Sequence, residues 1–251
     1  MKRFPLIAFA SSSLVLALFA HPRPAVADTF NIQYFEATTG TADFYNGNAP
    51  LGTSNNFVRS GLGPNGLPVF NPGFTASGNV RAPDASYLNS QKELLYWTPG
   101  ANIKSDGSGV ISLSGTPTNM FAPGTGGNDA AYEETAILTG GFHLGSTSNV
   151  QFSVGADDMA FVYVDGGLVE SLGGIHADTA APSNSIQLGA GDHSVELFYA
   201  DRDVTQAALS FKETANSAPT HVSAVPEPRT LILFGTGLAF LAGAFRRRFA
   251  R

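Results

Sequence analysis

Apolar and polar residues alternate with a period of two along much of the chain. Phe30, Ile32 and Tyr34 make one such run, and Ile111 and Leu113 another. Beyond residue 140 the runs become denser: Val150, Phe152 and Val154, then Ile186 and Leu188, then Val195, Leu197 and Tyr199, then Leu209 and Phe211. Residues two apart share one face of a strand, so each run predicts a strand with a buried side. Phe161 to Val164 is continuously apolar, and Asp165-Gly166-Gly167 after it predicts a hairpin turn, because glycine supplies the positive φ such turns need. Short strands at spacings of roughly 8 to 12 residues predict an all-β, antiparallel β-sandwich. The first half is punctuated by turn clusters, Asn46-Gly47-Asn48, Gly63-Pro64-Asn65-Gly66 and Asn71-Pro72-Gly73, which predict long loops. Asp84 to Trp97 is the one helical prediction there, with Asp84 as cap and Leu88, Leu94 and Leu95 as a buried face.

Both ends depart from this pattern. Met1 to Ala27 has a basic start at Lys2 and Arg3, an apolar stretch from Leu6 to Ala20, and Ala25-Val26-Ala27 as a small-x-small cleavage pattern, so it reads as a signal peptide with Asp28 as the mature start. At the other end Leu231 to Phe245 carries no charge and is followed by Arg246, Arg247, Arg248 and Arg251. As a helix it would be roughly 22 Å long, short for a bilayer core of about 30 Å but able to span with local thinning and arginine snorkelling. The arginines belong on the cytoplasmic side, which places residues before Leu231 outside. The expected organisation is signal peptide 1–27, sandwich 28–214, linker 215–224 and tail 225–251 with a transmembrane segment at 231–245.

Removing the ends changes the charge. The whole chain has a formal net charge of −6, but residues 28–225 hold six Lys and Arg against nineteen Asp and Glu, a net of −13. Such a surface repels nucleic acid and attracts cations. The absence of cysteine excludes a disulfide framework, thiol catalysis and zinc-thiolate sites. The chain has no Gly-x-Ser-x-Gly elbow, phosphate loop or His-Glu-x-x-His helix, so no catalytic residue is nominated and the chain is read as a non-enzyme.

The acidic residues gather in two places. Asp157-Asp158 lies between two predicted strands, and Asp201-Arg202-Asp203 follows a third. Adjacent carboxylates repel, and oxygen-only donors suit a hard cation such as calcium, so Asp157, Asp158, Asp201 and Asp203 are the candidate metal ligands. Arg202 offers an alternative, an ordinary ion pair with one of these aspartates. Glu133-Glu134 is expected to be a solvated strand start.

Residues 152–211, including ADDMAFVYVDGGLVESLGGIH and HSVELFYADRD, resemble the fibro-slime domain and its wider relatives, the protective-antigen-type β-sandwiches of bacterial toxins, glycosidases and fungal adhesins. Gly40-Thr41-Ala42-Asp43-Phe44 is similar to an early Asp-Phe element of that family, and Gly173-Gly174-Ile175-His176 to its Gly-Gly-x-His stretch. The resemblance implies that Asp157 and Asp158, joined by a cis peptide, bind calcium, and that the ion in turn holds glycan hydroxyls. Asp201 stands where the sugar-binding adhesins have an Asn ligand. The chain departs from fibro-slime domains at Met159, where a third acidic residue is common, and at Asp201-Arg202, where Glu-Arg is common.

Val225-Pro226-Glu227-Pro228 precedes the apolar segment and the arginine cluster. The prolines keep the motif extended and outside the helix that follows. This three-part arrangement resembles the PEP-CTERM sorting signal, which implies recognition by an exosortase in the inner membrane of a Gram-negative bacterium, removal of the tail, and delivery to the cell surface or extracellular matrix. The resulting expectation is a calcium-assisted module that binds carbohydrate, exopolysaccharide above all. The alternative is a structural matrix protein that self-associates without a small ligand, and the third reading a polysaccharide-acting hydrolase.

Overall fold

The structure is a computed structural model that describes residues 28–122, 132–181, 184–204, 206–215 and 222–224. The expected signal peptide, the Val225-Pro226-Glu227-Pro228 motif, the transmembrane segment and Arg246, Arg247 and Arg248 lie outside the described residues. In chain order the strands are β1 (Asp28–Thr38), β2 (Gly52–Ser54), β3 (Val58–Leu62), β4 (Pro68–Phe70), β5 (Ser77–Gly78), β6 (Ile103–Leu113), β7 (Thr118–Asn119), β8 (Tyr132–Leu144), β9 (Ser148–Asp157), β10 (Met159–Val164), β11 (Gly167–Ile175), β12 (Thr179–Ala180), β13 (Asn184–Leu188), β14 (Gly191–Ala200) and β15 (Ala208–Ala215). They form a larger sheet with the order β4-β3-β11-β10-β14-β8-β1-β6 and a smaller one with the order β12-β9-β15-β7. The expected all-β antiparallel architecture is what the chain adopts.

The larger sheet is covered on both faces, and this explains its composition. Phe30, Ile32, Leu138, Val162 and Leu197 on one face share a core with Phe152, Val154, Leu209 and Phe211 of the smaller sheet. Phe30 and Phe211 meet edge to face across it, with centroids 5.3 Å apart. Phe35, Phe161, Tyr163 and Phe198 on the other face pack beneath Phe44, Phe57, Tyr87 and Trp97, which come from the long loops of the first half. Those loops therefore wall a second core. The continuous run Phe161 to Val164 feeds both cores alternately, and all four residues are buried.

Local chemistry sets the connections. Asp165 and Gly166 both adopt positive φ, 50° and 77°, and close the β10–β11 hairpin as the sequence predicts. Gly174 lets β2 lie close against β11, since a Cβ there would stand 2.1 Å from the Gly52 carbonyl oxygen. The helix expected over Asp84 to Trp97 is replaced by a single 3₁₀ turn, Ala85–Tyr87, capped by Asp84. Asn89 ends it: its side-chain oxygen accepts the Gln91 and Glu93 N–H groups, at 3.0 and 2.9 Å, and diverts the backbone into a turn. The segment 215–224, expected as a linker, is not one throughout, because Val222 is buried in the inter-sheet core and Ser223 pairs with Gly141 of β8.

Candidate functional site

Strand β9 belongs to the smaller sheet and β10 to the larger, so Asp157 and Asp158 sit at the corner where the chain passes between sheets. Asp157 pairs with Ala208 of β15, and Met159 with Ala200 of β14. The Asp157–Asp158 peptide bond is cis. The Asp158 carboxylate fastens two neighbouring segments, accepting the His176 N–H through Oδ1 and the Arg202 N–H through Oδ2, both at 2.8 Å. Beneath the corner, the Asp157 carbonyl accepts the Tyr199 hydroxyl at 2.6 Å, and the Tyr199 carbonyl accepts the Trp97 indole N–H at 2.6 Å.

Asp201, the first residue after β14, is fully buried. Its N–H donates to the Glu134 carbonyl at 2.9 Å, and its Oδ1 accepts the Asp203 N–H at 3.3 Å. Its Oδ2 is buried and has no hydrogen-bond partner among the described residues. Burial raises the Asp201 carboxyl well above the ordinary range, and the charges of Asp158, Glu133 and Asp157 add to the rise. Asp158 is raised for the same first reason, burial, against the pull of its two N–H donors. Asp157, Asp158 and Asp201 are thus brought into one electrostatic neighbourhood, joined by Glu133.

Glu133 is the member that sequence reasoning misses. Glu133 and Glu134 are not solvated; they are 0% and 2% exposed. Consecutive strand residues do point to opposite faces, but here both faces are covered. Glu133 accepts the Thr39 hydroxyl at 3.3 Å. Burial pushes Glu134 up to about 8, helped by Asp106 and Glu36.

Asp203 and Arg202 do other work. Asp203 Oδ1 accepts the Gly47 N–H at 2.7 Å, and Tyr45 forms a bridge with Asp203, so this carboxylate holds the loop after β1. Arg202 is 3% exposed, and its guanidinium turns to Asp43 while its backbone N–H serves Asp158. Its Nε donates to the Asp43 carbonyl at 2.9 Å, its Nη2 lies 3.6 Å from Asp43 Oδ1, and its guanidinium sits 5.3 Å from the centre of the Tyr96 ring. Tyr96 also donates its hydroxyl to Asp43 Oδ2 at 3.0 Å. Substituting Arg202 by Ala leaves Asp43 buried without its counter-charge, with an expected loss of about 3 kcal/mol in chemical denaturation.

His176 follows the Gly173-Gly174 pair and is 9% exposed. Its Nδ1 donates to the Ala177 carbonyl at 3.0 Å, and burial lowers its pKa, which favours the neutral ring.

The donor chemistry of the corner fits a hard cation: the donors are carboxyl oxygens, they lie in a buried junction, and among the described residues Asp201 Oδ2 has no hydrogen-bond partner. Among the described residues no three acidic or histidine side chains are already gathered into an ion-sized cage.

Residues 224–248 match the model of the PEP-CTERM protein-sorting motif. The chain carries a PEP-CTERM sorting motif. The match contains all of Val225-Pro226-Glu227-Pro228, the apolar segment and Arg246, Arg247 and Arg248. Comparison with curated protein sequences returns no match. Solved structures similar to this PEP-CTERM chain include the PA14 sugar-binding domain of an RTX adhesin, with 18% identity over 78% of this chain and 95% of that one, at a TM-score of 0.36. The epithelial adhesin 9 A domain of Candida glabrata, in complex with Galβ1-3GlcNAc, is 14% identical over 80% of this chain and 88% of that one, at a TM-score of 0.38. The PA14 domain of the MpAFP antifreeze protein is 17% identical at a TM-score of 0.30, over 38% of this chain and 55% of that one.

Proposed function

We propose that this is a non-enzymatic, exported protein of the cell surface or extracellular matrix of a Gram-negative bacterium, whose sandwich binds carbohydrate with the help of calcium. An exosortase recognises Val225-Pro226-Glu227-Pro228 and the tail is removed. The observation that supports the binding site is the buried junction of Asp157, Asp158 and Asp201 with its unpartnered Asp201 Oδ2. The ligand class comes from the resemblance of residues 152–211 to protective-antigen-type sandwiches; the sorting motif supports export of the domain, and exopolysaccharide is the carbohydrate we assign to it outside the cell.

In this reading Asp157, Asp158 and Asp201 hold the ion, which supplies positive charge and coordination positions for sugar hydroxyls. Asp158 keeps the β11 end and the loop after β14 in place through its two backbone N–H bonds. Asp203 and Arg202 fix that loop from behind through Gly47 and Asp43. The test is retention of residues 28–224 on the producer's own immobilised exopolysaccharide in millimolar calcium. Retention that disappears with chelator is expected; retention indifferent to chelator, or none at all, contradicts the proposal.

A further inference from the structure

Val222 and Ser223 stand just before residue 224, where the sorting motif begins, and all of their backbone polar groups are bonded to the domain. The Val222 N–H donates to Asp28 Oδ1 at 2.9 Å, and the Val222 carbonyl accepts the Thr29 N–H at 2.8 Å. Ser223 exchanges two bonds with Gly141: its N–H donates at 2.8 Å and its carbonyl accepts at 2.9 Å. The Val222 side chain is 1% exposed and joins the inter-sheet core. Gly140 makes room for it, since a Cβ at that position would stand 2.5 Å from Val222 Cγ1. These two residues form a strap across β8 and the first residues of β1.

An enzyme that takes its substrate as an extended chain does so through the substrate's backbone N–H and C=O groups. In the strap those groups are already engaged, and only Ala224 separates Ser223 from Val225, a reach of about 7 Å at most. We propose that the Val222–Ser223 strap sets the rate of tail processing, with the enzyme acting on the fraction of molecules in which the strap has lifted. This rests on the reading that the tail is removed. Removal breaks one peptide bond; its acyl carbon passes to water or an amine acceptor, and the leaving amine takes up a proton. The strap takes no part in that exchange and acts by positioning the chain before it. When opening and closing are fast, cleavage follows the population of the open form, so loosening the strap speeds processing and tightening it slows processing.

The test follows tail loss by mass after pulse labelling of the full-length precursor in its own membrane with its processing enzyme. Hydrogen exchange at the Val222 and Ser223 amides is measured alongside. Val222→Ala trims the anchor and Gly140→Ala crowds it, so both are expected to speed exchange and to raise the rate of tail loss about threefold or more. Ser223 is exposed, and Ser223→Val favours the extended strap without touching the core, so slower tail loss is expected from a variant whose folding is not in question. Faster exchange with unchanged or slower tail loss in the loosened variants, or an unchanged rate in Ser223→Val, overturns the proposal and leaves the processing reading standing. A wild-type tail that is never removed overturns both.

Discussion

Asp158→Ala is expected to lower the stability of the calcium-free domain by about 3 kcal/mol and to abolish calcium uptake. The His176 and Arg202 N–H groups would lose their acceptor in a buried place, and each orphaned donor costs about 1–3 kcal/mol. Relief of repulsion with Asp157 and Asp201 offsets part of this. Asp201→Asn is the informative contrast. It removes an ionisable group whose one side-chain hydrogen bond among the described residues is the 3.3 Å contact from the Asp203 N–H, while keeping an oxygen ligand. The calcium-free domain is expected to gain stability, and calcium affinity to fall about tenfold, about 1.4 kcal/mol. Denaturation curves with chelator and with calcium separate the two effects; equal behaviour of the two variants would remove the distinction between a carboxylate that fastens the fold and one held for a cation.

In chelator, the melting temperature is expected to fall by about 5 °C or more as pH rises from about 5 to about 8. The responsible groups have folded-state pKa values above their unfolded ones. Burial pushes Glu134 to about 8 and Glu170 to about 7, and raises Asp158 and Asp201. Such groups take up protons on folding, so their contribution is fully present below the ordinary carboxyl range and is lost as pH rises through the raised values. His193 acts in the same direction, burial there being outweighed by Asp165, whereas neutral His176 acts in the opposite one. Calcium, by neutralising the junction, should flatten the upper part of the curve. A melting temperature that rises steadily from pH 5 to 8 in chelator would contradict the raised pKa values of these buried carboxyl groups.

The strands were legible because alternation reports directly which face is buried, and β1, β9, β14 and β15 fall where the runs of Phe30, Val150, Val195 and Leu209 place them. The corner position of Asp157-Asp158 was legible because the pair stands between two apolar strands, whereas the cis bond joining them was implied by the family resemblance alone. Glu133 was not, since its burial depends on the second core, built from residues such as Phe44 and Trp97 far away in sequence. Arg202 looked local to Asp201 and Asp203, yet its partner Asp43 lies more than 150 residues earlier, with a separation of 159 positions for the backbone contact. The helix expected after Asp84 failed because Asn89 offers the backbone a competing turn, which periodicity does not register. The strap at Val222 was hidden in a small, polar, proline-containing stretch, where a single valine matched to the missing side chain of Gly140 gives no pattern.

Calorimetric titration of residues 28–224 with calcium is the most direct measurement of the site. One calcium per chain, bound in the micromolar to millimolar range and weakened at least tenfold in Asp157→Ala and in Asp201→Ala, is the expected result. No heat of binding up to millimolar calcium, or binding unaffected by both substitutions, would contradict it.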